Sequence, residues 1–194
     1  MVRNIYTPQQ LIDGIFALHT RRFGTVAEVL VKILANANWG KSISHDLYDE
    51  KTLRRIEVKF SRALRKNTST IKETNILEQI ISADDKIRMF KSTECEEYNF
   101  DCNIQQIKRK EFDVLYYGIF FSDIVQIFKI HSSDIGKDKN LRYSNKQHKG
   151  NVGEGQFHLN NKTYAYHIEN YIEKELKYEE IFDLLVKTQN PNKF

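Results

Sequence analysis

Cysteine is scarce in this chain of 194 residues. Cys95 and Cys102 are the only two, so no disulfide scaffold holds the fold, and two thiols cannot make a four-ligand zinc site. Long apolar runs are missing too. Nothing approaches the roughly 18 consecutive apolar residues that mark a membrane-spanning helix. The opening residues, Met1 to Tyr6, lack the apolar core of a secretory signal. The expectation is a cytoplasmic protein with free thiols and no membrane partner. There is no internal repeat and no low-complexity tract. The Gly-x-Ser-x-Gly elbow, the P-loop and the dinucleotide glycine fingerprint are all absent, which removes the commonest hydrolase, NTPase and dehydrogenase signatures. A large net charge is also lacking, since 30 Lys and Arg stand against 26 Asp and Glu, a formal +4.

What is present is globular. Hydrophobic residues make up 40% and charged residues 29%. A chain of this length buries roughly 70% of its unfolded surface and can fold as one domain, residues 1–194, without a metal or disulfide. The charge is unevenly spread. Lys51 to Lys72 holds eight cations and one anion, Glu57. Lys137 to Lys149 holds five cations and one anion, Asp138. From Gly150 onward, five Lys face seven carboxylates. Two basic segments on a near-neutral chain suit a polyanion-binding face, or two solvated loops.

Thr7-Pro8-Gln9-Gln10 is a helix start, with a cap, a proline in the first turn and a Gln that reaches back. Gly24 reads as a break, and Thr25-Val26-Ala27-Glu28 as a second capping box opening a helix to about Asn36. Ser42–Asp49 and Leu53–Ser61 read as strands joined by a polar hairpin turn. Thr70 opens a helix to about Ile81. Asn103–Lys110 suits a short helix. Phe112–Phe121 and Ile124–Ile130 are apolar strands separated by Ser122-Asp123. Residues 132–156 read as a long basic loop holding four of the eight glycines, and loops of that length are usually functional or disordered. Gln156–Leu159 and Thr163–His167 suggest a hairpin, followed by helices over Ile168–Leu176 and Tyr178–Lys187. The order points to an α/β or α+β fold with a mixed sheet.

The informative stretch runs from Ser44 to Ser61. Strand alternation puts Glu57 and Lys59 on one face and Ile56, Val58 and Phe60 on the other. Asp46, separated from Glu57 by ten intervening residues, would lie across the hairpin. Two carboxylates and an ammonium then converge. Such a set suits a metal-dependent phosphodiesterase. A hard cation such as Mg²⁺ takes oxygen ligands, and the Val58 carbonyl could add a third. The metal stabilises phosphate charge, and a neighbouring Lys orients water or neutralises the developing negative charge. The alternative is an amphipathic strand whose Glu57 and Lys59 are simply its solvent face.

This stretch resembles the PD-(D/E)xK nucleases. Asp46 matches the first acidic position, with His45 where the motif has Pro, and Glu57-Val58-Lys59 matches the second element. The chain is similar in particular to small type II restriction endonucleases, through Glu57 to Arg62, Asn103 to Gln106, Phe112 to Gly118 and Lys146 to Phe157. The resemblance implies a restriction-endonuclease-like core with a mixed central sheet flanked by helices. It implies hydrolysis of double-stranded DNA at a short specific sequence, with Asp46, Glu57 and Lys59 catalytic. The metal would be Mg²⁺, with Mn²⁺ able to substitute, held by Asp46, Glu57 and the Val58 carbonyl. Glu28 has two readings. It matches the helix carboxylate that assists the metal in many such enzymes, and it is the third residue of the Thr25 box. A palindromic target implies a two-fold homodimer, and a restriction system implies a partner methyltransferase. The rivals are a structure-specific repair or junction nuclease of the same fold and a binding module without catalysis.

For the DNA, Lys41, Ser61, Arg62, Arg65 and Lys66 flank the site and suit phosphate contacts. Arg142, Asn145, Lys146, Gln147, His148 and Lys149 are side-chain types that reach base edges or phosphates. Gln105 and Gln106 approach the DNA or cap a short helix.

Overall fold

The computed structural model describes residues 6–146 and 152–189. Helix α1 (Pro8–Ala17) starts as its sequence dictates, with the Gln10 amide donating to the Thr7 hydroxyl at 3.2 Å and the Thr7 amide to the Gln10 side chain at 2.9 Å. Helix α2 (Thr20–Leu34) buries Phe23, Ala27, Leu30 and Val31. The break expected at Gly24 does not occur. A glycine inside a helix costs only about 1 kcal/mol, and the apolar stripe on both sides of it outweighs that. Thr25 is therefore no cap. It lies in the helix interior, and its hydroxyl donates back to the Arg21 carbonyl at 3.3 Å.

The main sheet has the order β1-β2-β3-β5-β6-β9. Its strands are β1 (Asn38–Trp39), β2 (Leu47–Asp49), β3 (Arg54–Arg62), β5 (Val114–Phe120), β6 (Ile124–His131) and β9 (Ile172–Lys177). Only β3 and β5 run parallel, so the sheet is mixed. A second, antiparallel sheet has the order β4-β8-β7, from β4 (Asp101–Ile107), β7 (Ser144–Lys146) and β8 (Val152–Asn160). Short helices α3 (Ile76–Ile81), α4 (Asp85–Arg88) and α5 (Ser132–Ile135) join these, and α6 (Tyr164–Tyr171) and α7 (Tyr178–Gln189) flank β9.

Two apolar clusters cover the faces of the main sheet. On one, α1, α2 and α7 pack on Ile56, Val58, Phe120, Val125 and Ile127. On the other, β4, β8 and α6 pack on Leu115, Tyr117, Ile119 and Phe128. Strand β5 is apolar along its length because both of its faces are covered. Gly118 on β5 admits the Phe60 ring, since a Cβ there would stand 2.2 Å from it. The parallel register is fixed where Arg55 clasps Asp113. Its guanidinium donates to both carboxylate oxygens, at 2.8 and 3.1 Å, and its amide donates at 2.8 Å. Among the described residues no helix is long and apolar enough to cross a membrane.

Several elements differ from the sequence reading. The strand expected from Ser42 begins only at Leu47, and α3 starts at Ile76, after Asn75, not at Thr70. Asn103–Ile107 belongs to strand β4 and Lys108–Lys110 to the turn after it, so no helix forms there. A bulge at Gln106, whose φ is 61°, shifts the register so that Ile104 and Ile107 both point inward. That three-residue spacing imitates a helix. Residues 132–156 are not one loop, since they hold α5, β7 and the start of β8. Residues 164–167 are the first half of α6, not a second hairpin strand, and the helix expected over Ile168–Leu176 ends at Tyr171, where α6 passes directly into β9. Strand β9 buries only Leu176, so its Ile-Glu-Lys-Glu-Leu-Lys sequence shows a pairing edge rather than a core pattern.

Candidate active site

The site is built on the open edge of β3. The Arg55 carbonyl accepts the Asp113 amide at 2.9 Å, and the Ala63 amide donates to the Phe120 carbonyl at 2.8 Å. Odd-numbered residues thus pair with β5, and even-numbered ones turn their amides and carbonyls to the opposite edge. Strand β2 covers that edge only as far as Ile56, opposite Leu47. Just before β2, the Asp46 amide donates to the Ile56 carbonyl at 3.1 Å, and Asp46 Oδ2 accepts the Val58 amide at 2.9 Å. The Asp46 main chain is thus held at Ile56 and its carboxylate at Val58. Gly40 makes the approach possible. Its amide donates to the Asp46 carbonyl at 2.9 Å, and a Cβ there would stand 2.4 Å from the His45 oxygen.

Lys59 Nζ lies 2.5 Å from Glu57 Oε1 and 3.6 Å from Asp46 Oδ2. Burial pushes the Glu57 carboxyl up, to about 7, against the Lys59 charge and with help from Asp46. Burial alone would lower the Lys59 ammonium. The Glu57 and Asp46 charges outweigh it, and the net shift is upward. Glu28, on α2, is raised by burial and by Asp46 and steadied by Lys59. With no capping box at Thr25, the structural reason for Glu28 is gone, and its electrostatic tie to Asp46 and Lys59 remains.

The donor set is chemically uniform. Asp46 and Glu57 offer carboxylate oxygens, and the Val58 carbonyl shares the edge on which its amide meets Asp46. These are hard oxygen donors around a point where one cation, the Lys59 ammonium, already sits, and they fit a hard divalent ion such as Mg²⁺. Among the described residues no three His, Cys, Asp or Glu side chains group closely enough to hold a metal alone. His45, next to Asp46, shares a hydrogen bond through Nδ1 with the Ser44 hydroxyl at 2.9 Å.

The candidate DNA contacts divide. Arg62 is committed to the fold. Its guanidinium donates to the Phe16 and Leu18 carbonyls at 2.9 and 2.7 Å, pairs with Asp85 at 2.9 Å and stacks on Phe23. It ties β3 to the end of α1 and is not free for phosphate. Ser61 is half-buried and hydrogen-bonds the Cys102 thiol. Arg65 donates to the Ile87 carbonyl and stacks on Tyr98, and Lys66 pairs with Asp101 at 3.1 Å. Lys41 is exposed in the turn between β1 and β2. Gln105 and Gln106 are exposed on β4, so a helix-capping role is excluded. Arg142, Asn145 and Lys146 are exposed before and along β7. Gln147, His148 and Lys149 lie outside the described residues. Sequence reasoning missed Gly40, which shows only through its backbone crowding. It also missed the turn Lys108-Arg109-Lys110-Glu111, whose three adjacent cations are visible in the sequence but were absorbed into the expected helix. No family model, curated protein or solved structure matches this chain.

Proposed function

We propose that this chain is a Mg²⁺-dependent endonuclease of the PD-(D/E)xK type acting on double-stranded DNA, and within that type a type II restriction endonuclease. The observation that carries the reading is the Asp46 carboxylate anchored on the Val58 amide, with the Lys59 ammonium between it and Glu57. Asp46, Glu57 and the Val58 carbonyl would hold the metal, with Glu28 acting on the same charges from α2. A Mg²⁺ ion bound there supplies a Lewis acid for the scissile phosphate. The chain's own residues do the rest. Lys59 stays charged because two acids hold its proton, so it acts as a fixed cation that neutralises developing phosphate charge and donates to the attacking water. Glu57, raised toward neutrality, becomes the stronger ligand once it gives up its proton. The exposed Arg142, Asn145 and Lys146 support sequence reading, since such side chains match base-edge donors and acceptors.

The test is digestion of a defined unmethylated plasmid with and without Mg²⁺, with the ends sequenced. Discrete fragments are expected with Mg²⁺ and none in EDTA. Asp46→Ala, Glu57→Ala and Lys59→Ala are each expected to abolish cutting while the circular dichroism spectrum is unchanged. A smear without fixed ends would favour the structure-specific alternative, and a fully active Lys59→Ala would remove the site assignment.

A further inference from the structure

The fold brings together two basic segments that are distant in sequence. The first is the turn Lys108-Arg109-Lys110, between β4 and β5. The second is Lys137 to Lys146, between α5 and β7, with Lys137, Lys139, Arg142 and Lys146 against a single acid, Asp138. Asp138 is already taken up by the Tyr166 and Tyr171 hydroxyls. Three contacts fasten the segments to each other. The Arg109 guanidinium stacks on the Tyr143 ring at 4.9 Å, the Tyr143 hydroxyl donates to the Ile107 carbonyl at 3.4 Å, and Arg109 packs so closely on Gly136 that a Cβ there would stand 2.0 Å from it.

Between them lies an open cleft of about 720 Å³. Lys108, Arg109, Lys110 and Glu111 form one wall, and Tyr143, Asn145, Gly153 and Glu154 the other, with Ser132 and Ser133 between. The walls carry three cations, two carboxylates and two serine hydroxyls. The acids are partly answered from within, since Lys108 pairs with Glu154 at 3.5 Å. Lys110 is exposed, and its ammonium has no acidic partner among the described residues. The cleft also adjoins the strand of the candidate active site, because the Arg55 guanidinium on β3, two residues before Glu57, donates to the Lys110 carbonyl at 3.4 Å. Cations, two hydroxyls and an open-ended polar groove are what a sugar–phosphate backbone requires.

We propose that this cleft seats one backbone of the duplex beside the Asp46, Glu57 and Lys59 cluster, with Lys108 and Lys110 as phosphate ligands and Arg109 as the positioning residue that locks the two walls. The proposal rests on the nuclease reading for what happens to the DNA, but it concerns binding and is tested apart from cutting. Lys108 and Lys110 contribute in a sequence-independent way, and Asn145 on the facing wall is the side chain placed to sense a base edge.

The experiment is a fluorescence-anisotropy titration of a labelled mixed-sequence duplex in EDTA at several salt concentrations. It compares the parent with Lys110→Glu, with Lys108→Glu, and with Lys162→Glu as a control. Lys162 is an exposed lysine in the turn after β8, at the far end of that strand from Gly153 and Glu154, so it undergoes the same charge change away from the cleft. The expected result is tenfold or greater weakening by each cleft variant. The slope of log affinity against log salt should also be shallower by about 1, with Lys162→Glu close to the parent. Equal weakening by all three variants would reduce the effect to net charge and overturn the cleft. Parent-like binding by the cleft variants, or no duplex binding by the parent at low salt, would overturn it as well. If the cleft variants weaken binding and the parent still cuts nothing with Mg²⁺, the cleft stands and the nuclease reading falls.

Discussion

Glu28 shows how one residue's meaning depends on the element that carries it. If Thr25 opened a helix, Glu28 would be the far partner of a capping box, and its loss would cost about 1 kcal/mol of stability. With α2 starting at Thr20, Glu28 sits in mid-helix, where its carboxyl is raised by burial and by Asp46. Glu28→Gln is accordingly expected to lower Mg²⁺-dependent cutting about tenfold with an unchanged melting temperature. Thr25→Ala should leave both within error. Steady-state cleavage and thermal melts of the two variants separate the roles. His167 makes a different kind of prediction. It is fully buried, shares a hydrogen bond with the Tyr117 hydroxyl at 2.9 Å and stacks on Phe157, while its Nε2 has no partner among the described residues. Burial lowers its pKa to about 4, against roughly 6.5 in the unfolded chain. The unfolded state therefore gains a proton first as pH falls. The stability that neutral His167 supports is full above about pH 6.5 and is lost progressively down to about pH 4, by up to about 3 kcal/mol. His167→Gln should flatten that part of the curve when urea midpoints are compared at pH 7 and pH 4.5.

Elements differ in how much packing defines them. Helix α3 buries none of its residues, and Ile80 on it is 64% exposed, whereas Ile107 on β4 is 0% exposed. Ile80→Ala is expected to shift stability by no more than about 0.5 kcal/mol, and Ile107→Ala to cost about 2–5 kcal/mol. Equal costs in chemical denaturation would mean that α3 is covered in solution. The same contrast explains what the sequence made legible. The β2–β3 hairpin, the β5–β6 pair and α7 could be read because local signals and final packing agree there, a polar turn between alternating or apolar runs. The Asp46, Glu57 and Lys59 grouping could be read for the same reason, since it follows from one hairpin. Strands β4 and β9 could not. Strand β4 carries a bulge that breaks its alternation, and β9 is charged and held by pairing with β6 more than by burial. The commitment of Arg62 to α1 was hidden too, because it depends on carbonyls 46 and 44 residues away.

At the scale of the molecule, the chain crosses repeatedly between its two layers. It runs from β3 in the main sheet to β4 in the second, returns for β5 and β6, leaves for β7 and β8, and returns through α6 to β9. Neither layer is a continuous stretch that could fold alone. Strand β5 binds them further, since Phe120 belongs to the cluster under α2 while Tyr117 and Ile119 belong to the cluster under β8. The candidate site lies on β3, in the sheet both clusters share, so its geometry depends on both. Unfolding is therefore expected as one transition. Leu30→Ala, in the α2 layer, removes a buried aliphatic and should cost about 2–5 kcal/mol, and Phe157→Ala, in the β8 layer, about 3–5 kcal/mol. Each should move the same urea midpoint, whether followed by far-ultraviolet circular dichroism or by fluorescence of Trp39, the only tryptophan. Trp39 lies on β1 and reports on the edge that carries Asp46, because it pairs with Leu47. If Phe157→Ala lowered the circular dichroism midpoint and left the Trp39 midpoint in place, the β4-β8-β7 layer would open by itself. The cleft beside the candidate site would then be a separately folding wall, not part of the scaffold that fixes the carboxylates.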